Sequence, residues 1–115
     1  MLFVLACSKK EVAPANQLIV NGIYVRQNNG AVTSSAGMEV QWDGTIGKII
    51  NSPAASPFKI GQTKWKNVNY TAYTISDLLS DGTYGADTKL TVSGDGKTVK
   101  IADTANATEL LYILK

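Results

Sequence analysis

The sequence predicts an all-β domain, an antiparallel meander of about eight strands joined by tight turns. Charged side chains make up 17% of the 115 residues, below the roughly 25% of a typical soluble domain. Apolar and polar residues alternate along several short segments, as they do in strands with one buried face. Asx-Gly pairs, which tolerate the backbone of tight turns, separate these segments: Asn29-Gly30, Asp43-Gly44, Asp81-Gly82 and Asp95-Gly96.

The segment 89–102 predicts both a β-hairpin and its register. If Asp95 and Gly96 form a two-residue turn, with the positive φ angles that such a turn requires, every cross-strand pair is defined. Apolar residues then face apolar residues on one side of the ribbon, and polar residues share the other: Val92 with Val99, Leu90 with Ile101, Thr91 with Lys100 and Ser93 with Thr98. This sorting indicates a half-buried pair of strands.

Asp43-Gly44 predicts a second hairpin by the same reasoning. A two-residue turn there sets four pairs, of which the last lies on the outer face: Trp42 with Thr45, Val40 with Gly47, Met38 with Ile49 and Glu39 with Lys48. The outer pair joins opposite charges, which suits a solvent-exposed surface. Because a slip of one residue would turn the apolar side chains outward, the agreement of two hairpins supports both registers.

The turn residues divide the domain into eight predicted strands: 22–28, 31–42, 45–51, 59–66, 69–80, 83–93, 97–102 and 108–114. The segment 51–58 is predicted to be a surface loop, because Pro53 and Pro57 cannot donate ladder hydrogen bonds. Trp65 lies between Lys64 and Lys66, so an inward indole would leave both lysines in water.

The last predicted strand is apolar on both faces, so it needs a neighbour at its edge and cover on both sides. A meander whose first and last strands pair removes that free edge. We therefore expect a closed barrel over residues 18–115, with a two-sheet β-sandwich as the alternative. The side chains expected to face the interior are Met38, Val40, Trp42, Trp65, Leu90, Val92, Val99 and Ile101.

Gly22-Ile23-Tyr24 opens the first predicted strand and resembles the Gly-x-Trp motif that begins small lipocalin-like barrels, with Tyr in the place of Trp. That family also has a basic residue late in the chain that covers the tryptophan, and Lys115 is the residue available for that position here. The resemblance implies a small barrel of the lipocalin-like, or calycin, type.

The first residues resemble the lipobox of bacterial lipoproteins. The apolar segment 1–6 ends in Val4-Leu5-Ala6 and is followed by Cys7, the only cysteine. The resemblance implies that 1–6 is part of a signal segment, that Cys7 is the lipid attachment site and that 7–17 is a tether. Two or three acyl chains would hold the protein on a membrane permanently.

Ser8 follows the cysteine where aspartate would, in that family, retain a lipoprotein at the inner membrane. The resemblance therefore implies a protein anchored at the bacterial outer membrane, on its periplasmic face or at the cell surface. The alternative is that 1–6 is a buried first strand and that Cys7 is a core thiol, since free cysteine is often buried.

Composition argues against several classes of function. The net charge is only +2 and the lysines are spread along the chain, so we expect no nucleic-acid binding. The chain has no histidine, the usual general base and the commonest metal ligand, so we expect no catalysis, cofactor or metal site. Ser56-Pro57-Phe58-Lys59 matches the Ser-x-x-Lys motif of penicillin-binding enzymes, but it lies in the proline loop and has no partner motif.

Aromatic residues remain as candidates for ligand binding. Trp42 and Trp65 alternate inward, and such residues more often belong to the core than to a ligand platform. Tyr70 and Tyr73 lie on opposite faces of one predicted strand, so at least one is available to face outward and stack on a sugar ring.

The sequence thus predicts a non-catalytic, lipid-anchored binding module of the cell envelope that takes a small apolar ligand, a glycan or a partner protein. The alternative is a structural subunit of an outer-membrane or surface assembly. A cavity in the barrel would favour a small ligand, whereas a filled interior with a large exposed apolar patch would favour a protein partner.

Overall fold

The computed structural model describes residues 17–28, 33–103 and 108–115. Residues 1–6, Cys7, the rest of the tether up to residue 16 and the Asn29-Gly30 pair lie outside this part of the chain. The described residues form eight strands: β1 (Gly22–Arg26), β2 (Glu39–Trp42), β3 (Gly47–Asn51), β4 (Thr63–Asn69), β5 (Thr74–Leu78), β6 (Tyr84–Val92), β7 (Thr98–Asp103) and β8 (Thr108–Leu114).

The sheet closes on itself into a barrel. Each strand pairs antiparallel with the next along the chain, and β8 pairs with β1 to complete the circle. The closing register joins Tyr24 to Leu114, Val25 to Ile113 and Arg26 to Tyr112. Closure leaves β8 without a free edge. The predicted all-β barrel is confirmed, and the β-sandwich alternative is wrong.

Strand β2 is shorter than the predicted strand 31–42. Gly37 has a φ of 91°, a left-handed conformation that interrupts an extended backbone. Its amide donates to the carbonyl of Arg26 at 2.8 Å. The β1–β2 connection therefore continues to residue 38, and of the described residues 33–42 of the predicted strand only the last four are in the sheet.

The register of β6 and β7 is the predicted one. Leu90 pairs with Ile101, Thr91 with Lys100 and Val92 with Val99. The turn itself is wider than predicted, because Gly96 has a positive φ of 73° whereas Asp95 does not. A four-residue loop over 94–97 is centred on the same point as a two-residue loop over 95–96, so the cross-strand pairs are unchanged.

The predicted register of β2 and β3 is wrong by two residues. Val40 pairs with Ile49, and Trp42 pairs with Gly47. The carboxylate of Asp43 accepts hydrogen bonds from the amides of Thr45 and Ile46 at 2.8 and 2.9 Å, which stabilises a loop over 43–46 in place of the two-residue turn. Because the shift is even, every side chain keeps its face and Val40 and Trp42 still point inward.

The expected ion pair on the outer face is replaced by another. A β-bulge between Glu39 and Val40 adds one residue to the shift, so Glu39 lies opposite Asn51 rather than Lys48. The carboxylate of Glu39 is 3.0 Å from Nζ of Lys115. The amino group of Lys115 thus joins the last residue of the chain to β2 across the closing strand pair. Since the lysine side chain is 59% exposed, the pair contributes about 1 kcal/mol at most.

Four aromatic side chains fill the barrel interior, and each is at most 2% exposed: Tyr24, Trp42, Trp65 and Tyr112. Trp65 is at their centre, with its ring centroid 4.8 Å from Tyr112, 5.8 Å from Tyr24 and 6.3 Å from Trp42. Gly47 pairs with Trp42 on one neighbouring strand and with Trp65 on the other. The missing side chain of Gly47 therefore makes room for two adjacent indoles.

We expect the Gly47→Ala substitution to lower the free energy of unfolding by about 1–3 kcal/mol, the usual effect of overpacking a core. A Cβ atom at this position would lie 2.8 Å from Cγ1 of Val40 and 2.9 Å from Cε3 of Trp65. Urea unfolding followed by far-UV circular dichroism measures the change. Gly94→Ala is the matched control, since a Cβ atom there would meet no atom within 4 Å. Equal losses in the two variants would contradict the expected clash.

One end of the barrel, the closed end, is covered by residues 17–21, the lead-in segment. Ile19 is 4% exposed and belongs to the core cluster. The amide of Val20 donates to the carbonyl of Gly96 at 2.9 Å, and the hydroxyl of Tyr24 lies 2.6 Å from the carbonyl of Val20. Burial raises the pKa of Tyr24 to about 12, so this hydroxyl remains a donor at neutral pH.

The opposite end of the barrel is the mouth. Because consecutive strands run in opposite directions, the loops alternate between the two ends. The loops 43–46, 70–73 and 93–97 lie at the closed end with the lead-in segment, whereas 52–62 and 79–83 lie at the mouth.

Candidate functional site

The mouth contains a cavity of about 450 Å³, within the usual range of roughly 300–1,000 Å³ for small-molecule sites. We call it the mouth cavity. Its apolar wall includes Phe58, Leu78 and Leu110, and exposed Ser34 and Ser80 lie at its rim. The cavity lies at this end of the barrel, and the four core aromatics pack with the aliphatic side chains of the core cluster below it.

The inner part of the mouth cavity holds a buried ion pair between β4 and β5. Nζ of Lys64 is 2.8 Å from Oδ1 of Asp77, and the side chains are only 2% and 4% exposed. The same ammonium donates to the carbonyl of Leu78 at 2.6 Å and lies 4.3 Å from the ring centroid of Phe58. Three different partners therefore surround the three N–H donors of Lys64.

The burial of Lys64 corrects the prediction that it faces water. Trp65 is buried as predicted, but Lys64 is only 1% exposed. Simple alternation fails here because Lys64 is the extra residue of a β-bulge: Gly47 pairs with Trp65 and Lys48 with Thr63, so Lys64 falls between two pairs. Its side chain reaches Asp77 and the mouth cavity instead of water.

Two further charged residues line the mouth cavity near this pair. Arg26 is 3% exposed, and its guanidinium carbon lies 5.9 Å from the ring centroid of Tyr112. Asp103 is half-buried on β7. Both act on the pair: Arg26 lowers and Asp103 raises the pKa values of Lys64 and Asp77. The four groups carry two positive and two negative charges, so their formal charges balance.

Desolvation is the dominant electrostatic effect on the ion pair. Burial raises the pKa of Asp77 and lowers the pKa of Lys64, in each case against the attraction of the opposite charge. The interaction with Lys64 therefore opposes the effect of burial on the pKa of Asp77 without cancelling it.

Comparisons of the chain with protein-family models, with curated proteins and with solved structures found no match. The described part of the chain has no helix long and apolar enough to cross a membrane. Within residues 17–28, 33–103 and 108–115, no three His, Cys, Asp or Glu side chains are grouped as a metal site requires.

The two tryptophans proposed as ligand-binding residues are part of the core. Trp42 is 2% exposed and Trp65 is fully buried, and neither lines the mouth cavity. Their observed contacts are with other aromatic rings, at centroid distances of 4.8–6.3 Å for Trp65. The structure thus places them below the cavity, as packing residues.

Tyr70 and Tyr73 belong to the turn between β4 and β5, not to opposite faces of one strand as predicted. Tyr73 has a φ of 53°, and this left-handed conformation helps to break the predicted strand 69–80. The two rings meet edge to face with centroids 6.0 Å apart. The hydroxyl of Tyr70 accepts from the amide of Ile19 at 3.2 Å, and that of Tyr73 donates to the carbonyl of Gln17 at 2.8 Å. Both tyrosines therefore hold the lead-in segment at the closed end.

Sequence reasoning missed the charged residues of the mouth, although a signal for them exists. Arg26 lies two residues after Tyr24 in β1, and Asp77 lies two residues after Ile75 in β5. Residues two apart in a strand share a face, so each charge continues the core-facing row toward the mouth. A charged residue at a core-facing position near a strand end is the pattern that would have identified them.

Proposed function

We propose that this barrel is a non-catalytic binding module that takes a small, hydroxyl-rich ligand, such as a short glycan, in its mouth cavity. The observation that carries the proposal is a cavity of about 450 Å³ with Arg26, Lys64 and Asp77 in its lining, each at most 3% exposed. An exposed cavity with apolar walls and a few convergent polar groups is the usual form of a ligand site.

The polar rim favours a polar ligand over the hydrocarbon that sequence reasoning included. A hydrocarbon in the cavity would remove water from exposed Ser34, Ser80 and Asp81 without replacing its hydrogen bonds, which is unfavourable. A sugar has hydroxyl groups for the polar side chains of the rim and C–H groups for the apolar wall at Leu78 and Leu110. The lining carries charges of both signs, with Arg26 and Lys64 opposed by three aspartates, and this favours a neutral ligand because a charged one would meet both attraction and repulsion.

We further propose that Cys7 anchors this module to a membrane through acyl chains, as the lipobox resemblance implies. The support is the sequence alone, Val4-Leu5-Ala6 followed by the only cysteine. The expected location is the bacterial outer membrane. Metabolic labelling with a clickable fatty acid should tag the natural protein, and a tag that survives Cys7→Ala would contradict the anchor.

The ligand proposal is tested by titrating the isotopically labelled full chain with cellobiose, maltose, chitobiose and palmitate, and following backbone amide chemical shifts. We expect at least one disaccharide to give saturable shifts at the mouth, in residues such as Ser34, Ser80 and Leu110. Ser80→Trp, which narrows the rim, should abolish the shifts. Thr71→Trp, an exposed position at the closed end, should leave them unchanged.

Two other outcomes would overturn the glycan proposal. Saturation by palmitate, with no response to any sugar, would restore the apolar ligand. No binding by any of the probes would favour the structural-subunit alternative, for which the mouth carries one supporting feature: Ile60 is 66% and Leu79 is 44% exposed. A protein partner would cover these two side chains, since contiguous exposed apolar surface is typical of interaction sites.

A further inference from the structure

The lead-in segment and the mouth cavity lie at opposite ends of the barrel. Ile19 packs into the core at the closed end, whereas the cavity is lined by Phe58, Ser80 and other residues of the mouth. A membrane attachment upstream of Gln17 is therefore connected to the closed end of the barrel, opposite the mouth cavity.

The lead-in segment is held at several points. Tyrosine hydroxyls from β1 and from the turn 70–73 bond to its backbone at Gln17, Ile19 and Val20. It also lies directly over Gly96, where a Cβ atom would collide with the carbonyl oxygen of Leu18 and lie 2.9 Å from Cγ2 of Val20. These contacts make Gln17 a defined exit point for the chain at the closed end.

The length of chain between this exit and Cys7 limits how the barrel can be placed. Residues 7–16 are ten residues, which span at most about 35 Å when fully extended. The nine residues of β6 measure about 30 Å, or roughly 23 Å along the barrel axis at a typical strand tilt of about 40°.

If the mouth faced the membrane, Gln17 would lie above the membrane surface by the height of the barrel plus the height of the mouth loops. The ten residues would then have to run almost straight, which removes most of their conformational entropy. A barrel with its closed end toward the membrane imposes no such restriction.

We propose that the closed end is the membrane-facing surface and that the mouth cavity opens away from the bilayer, so that its ligand arrives from the aqueous phase and is not a lipid of the anchoring membrane. This inference rests on the proposed anchor at Cys7.

The test compares fluorophores on two introduced cysteines in the acylated full chain, where acylation blocks the thiol of Cys7. Thr71→Cys places the label in the exposed closed-end turn, and Ile60→Cys places it in the mouth loop, at a side chain that is 66% exposed. The protein is reconstituted in vesicles of phosphatidylcholine and phosphatidylglycerol that contain a lipid with a nitroxide headgroup. We expect the quenching at the Thr71 position to be several-fold greater than at the Ile60 position.

A second arm separates this inference from the anchor itself. The same two label positions are used in a Cys7→Ala chain with an N-terminal histidine tag in place of residues 1–6, bound to vesicles that carry a nickel-chelating lipid. If Cys7 is not acylated in cells, the proposed anchor is overturned. Stronger quenching at the Thr71 position than at the Ile60 position in this second arm would still support the orientation. Equal quenching at the two positions, or stronger quenching at the mouth, would overturn the orientation even if Cys7 is acylated.

Discussion

The Trp65→Ala variant should lose about 3–5 kcal/mol of unfolding free energy, the typical effect of truncating a buried aromatic side chain. Trp65 is fully buried and its ring contacts those of Tyr112, Tyr24 and Trp42. Removing the indole would leave a void bordered by all three rings and by Gly47, which has no side chain to fill it. Since small domains are stable by only about 5–15 kcal/mol, this single change would remove a large part of the total.

Urea unfolding monitored by far-UV circular dichroism measures this loss without relying on tryptophan fluorescence. Trp65→Phe keeps an aromatic ring in the same space and should lose clearly less than Trp65→Ala. Thr71→Ala, at an exposed turn position, should change stability by no more than about 0.5 kcal/mol. A loss below about 1 kcal/mol for Trp65→Ala would mean that the indole is not the centre of the core.

The Lys64→Met variant should lose about 3–5 kcal/mol of unfolding free energy, because it leaves the carboxylate of Asp77 buried without its ammonium partner. The matched control is Lys66→Met on the same strand. Lys66 is half-buried, and its Nζ lies 3.9 Å from the ring centroid of Tyr84. Loss of this cation–π contact is expected to remove about 1 kcal/mol or less. Similar losses in the two variants would contradict a special role for the buried pair.

The double variant Lys64→Met with Asp77→Leu gives a second readout. It removes both charges and keeps apolar volume, so we expect it to be more stable than Lys64→Met and within about 2 kcal/mol of the natural protein. Additive losses from the two substitutions would show that the residues act independently.

The pH dependence of Lys64→Met follows from the raised pKa of Asp77. Burial raises this pKa above its ordinary value of 3.8, and loss of the lysine removes the main group that opposes the shift. Between 3.8 and the raised pKa the folded state binds more protons than the unfolded state, so stability increases as the pH falls. The difference in unfolding free energy between the natural protein and Lys64→Met should therefore become smaller as the pH falls from neutral toward 3.8. A constant or growing difference would contradict this prediction.

Several features of the barrel could be predicted because they depend on local chemistry. Alternating residues in 89–102 defined the β6–β7 register, and the two-faced apolar strand 108–114 indicated that the sheet closes. The β2–β3 register could not be predicted to the residue, since the side chain of Asp43 widens its loop and a shift of two residues preserves the same alternation. A hydrophobic pattern excludes a register shift by an odd number of residues, because that shift would turn the apolar side chains outward. It does not exclude a shift by an even number, which leaves every side chain on the same face.

The candidate site was harder to predict than the fold, because its residues come from separate strands and a loop. Lys64 was predicted to face water because its neighbour Trp65 points inward, but a β-bulge between β3 and β4 leaves the Lys64 side chain beside Asp77. Tyr70 and Tyr73 were predicted on opposite faces of one strand, but they share a turn, and their hydrogen-bond partners lie more than fifty residues away in the lead-in segment. No local pattern contains the information that a distant segment covers a given side chain.

By itself, the sequence determined the strand order, the inward set of aliphatic and aromatic residues, and the positions of the turns at Asp43, Asp81 and Asp95. These depend on alternation, on turn chemistry and on contacts between segments that are close along the chain. Only the tertiary structure decided that Arg26, Lys64, Asp77 and Asp103 meet in one cavity, and that the lead-in segment closes the other end. The physical reason is that barrel closure and loop packing bring together residues whose burial depends on distant parts of the chain.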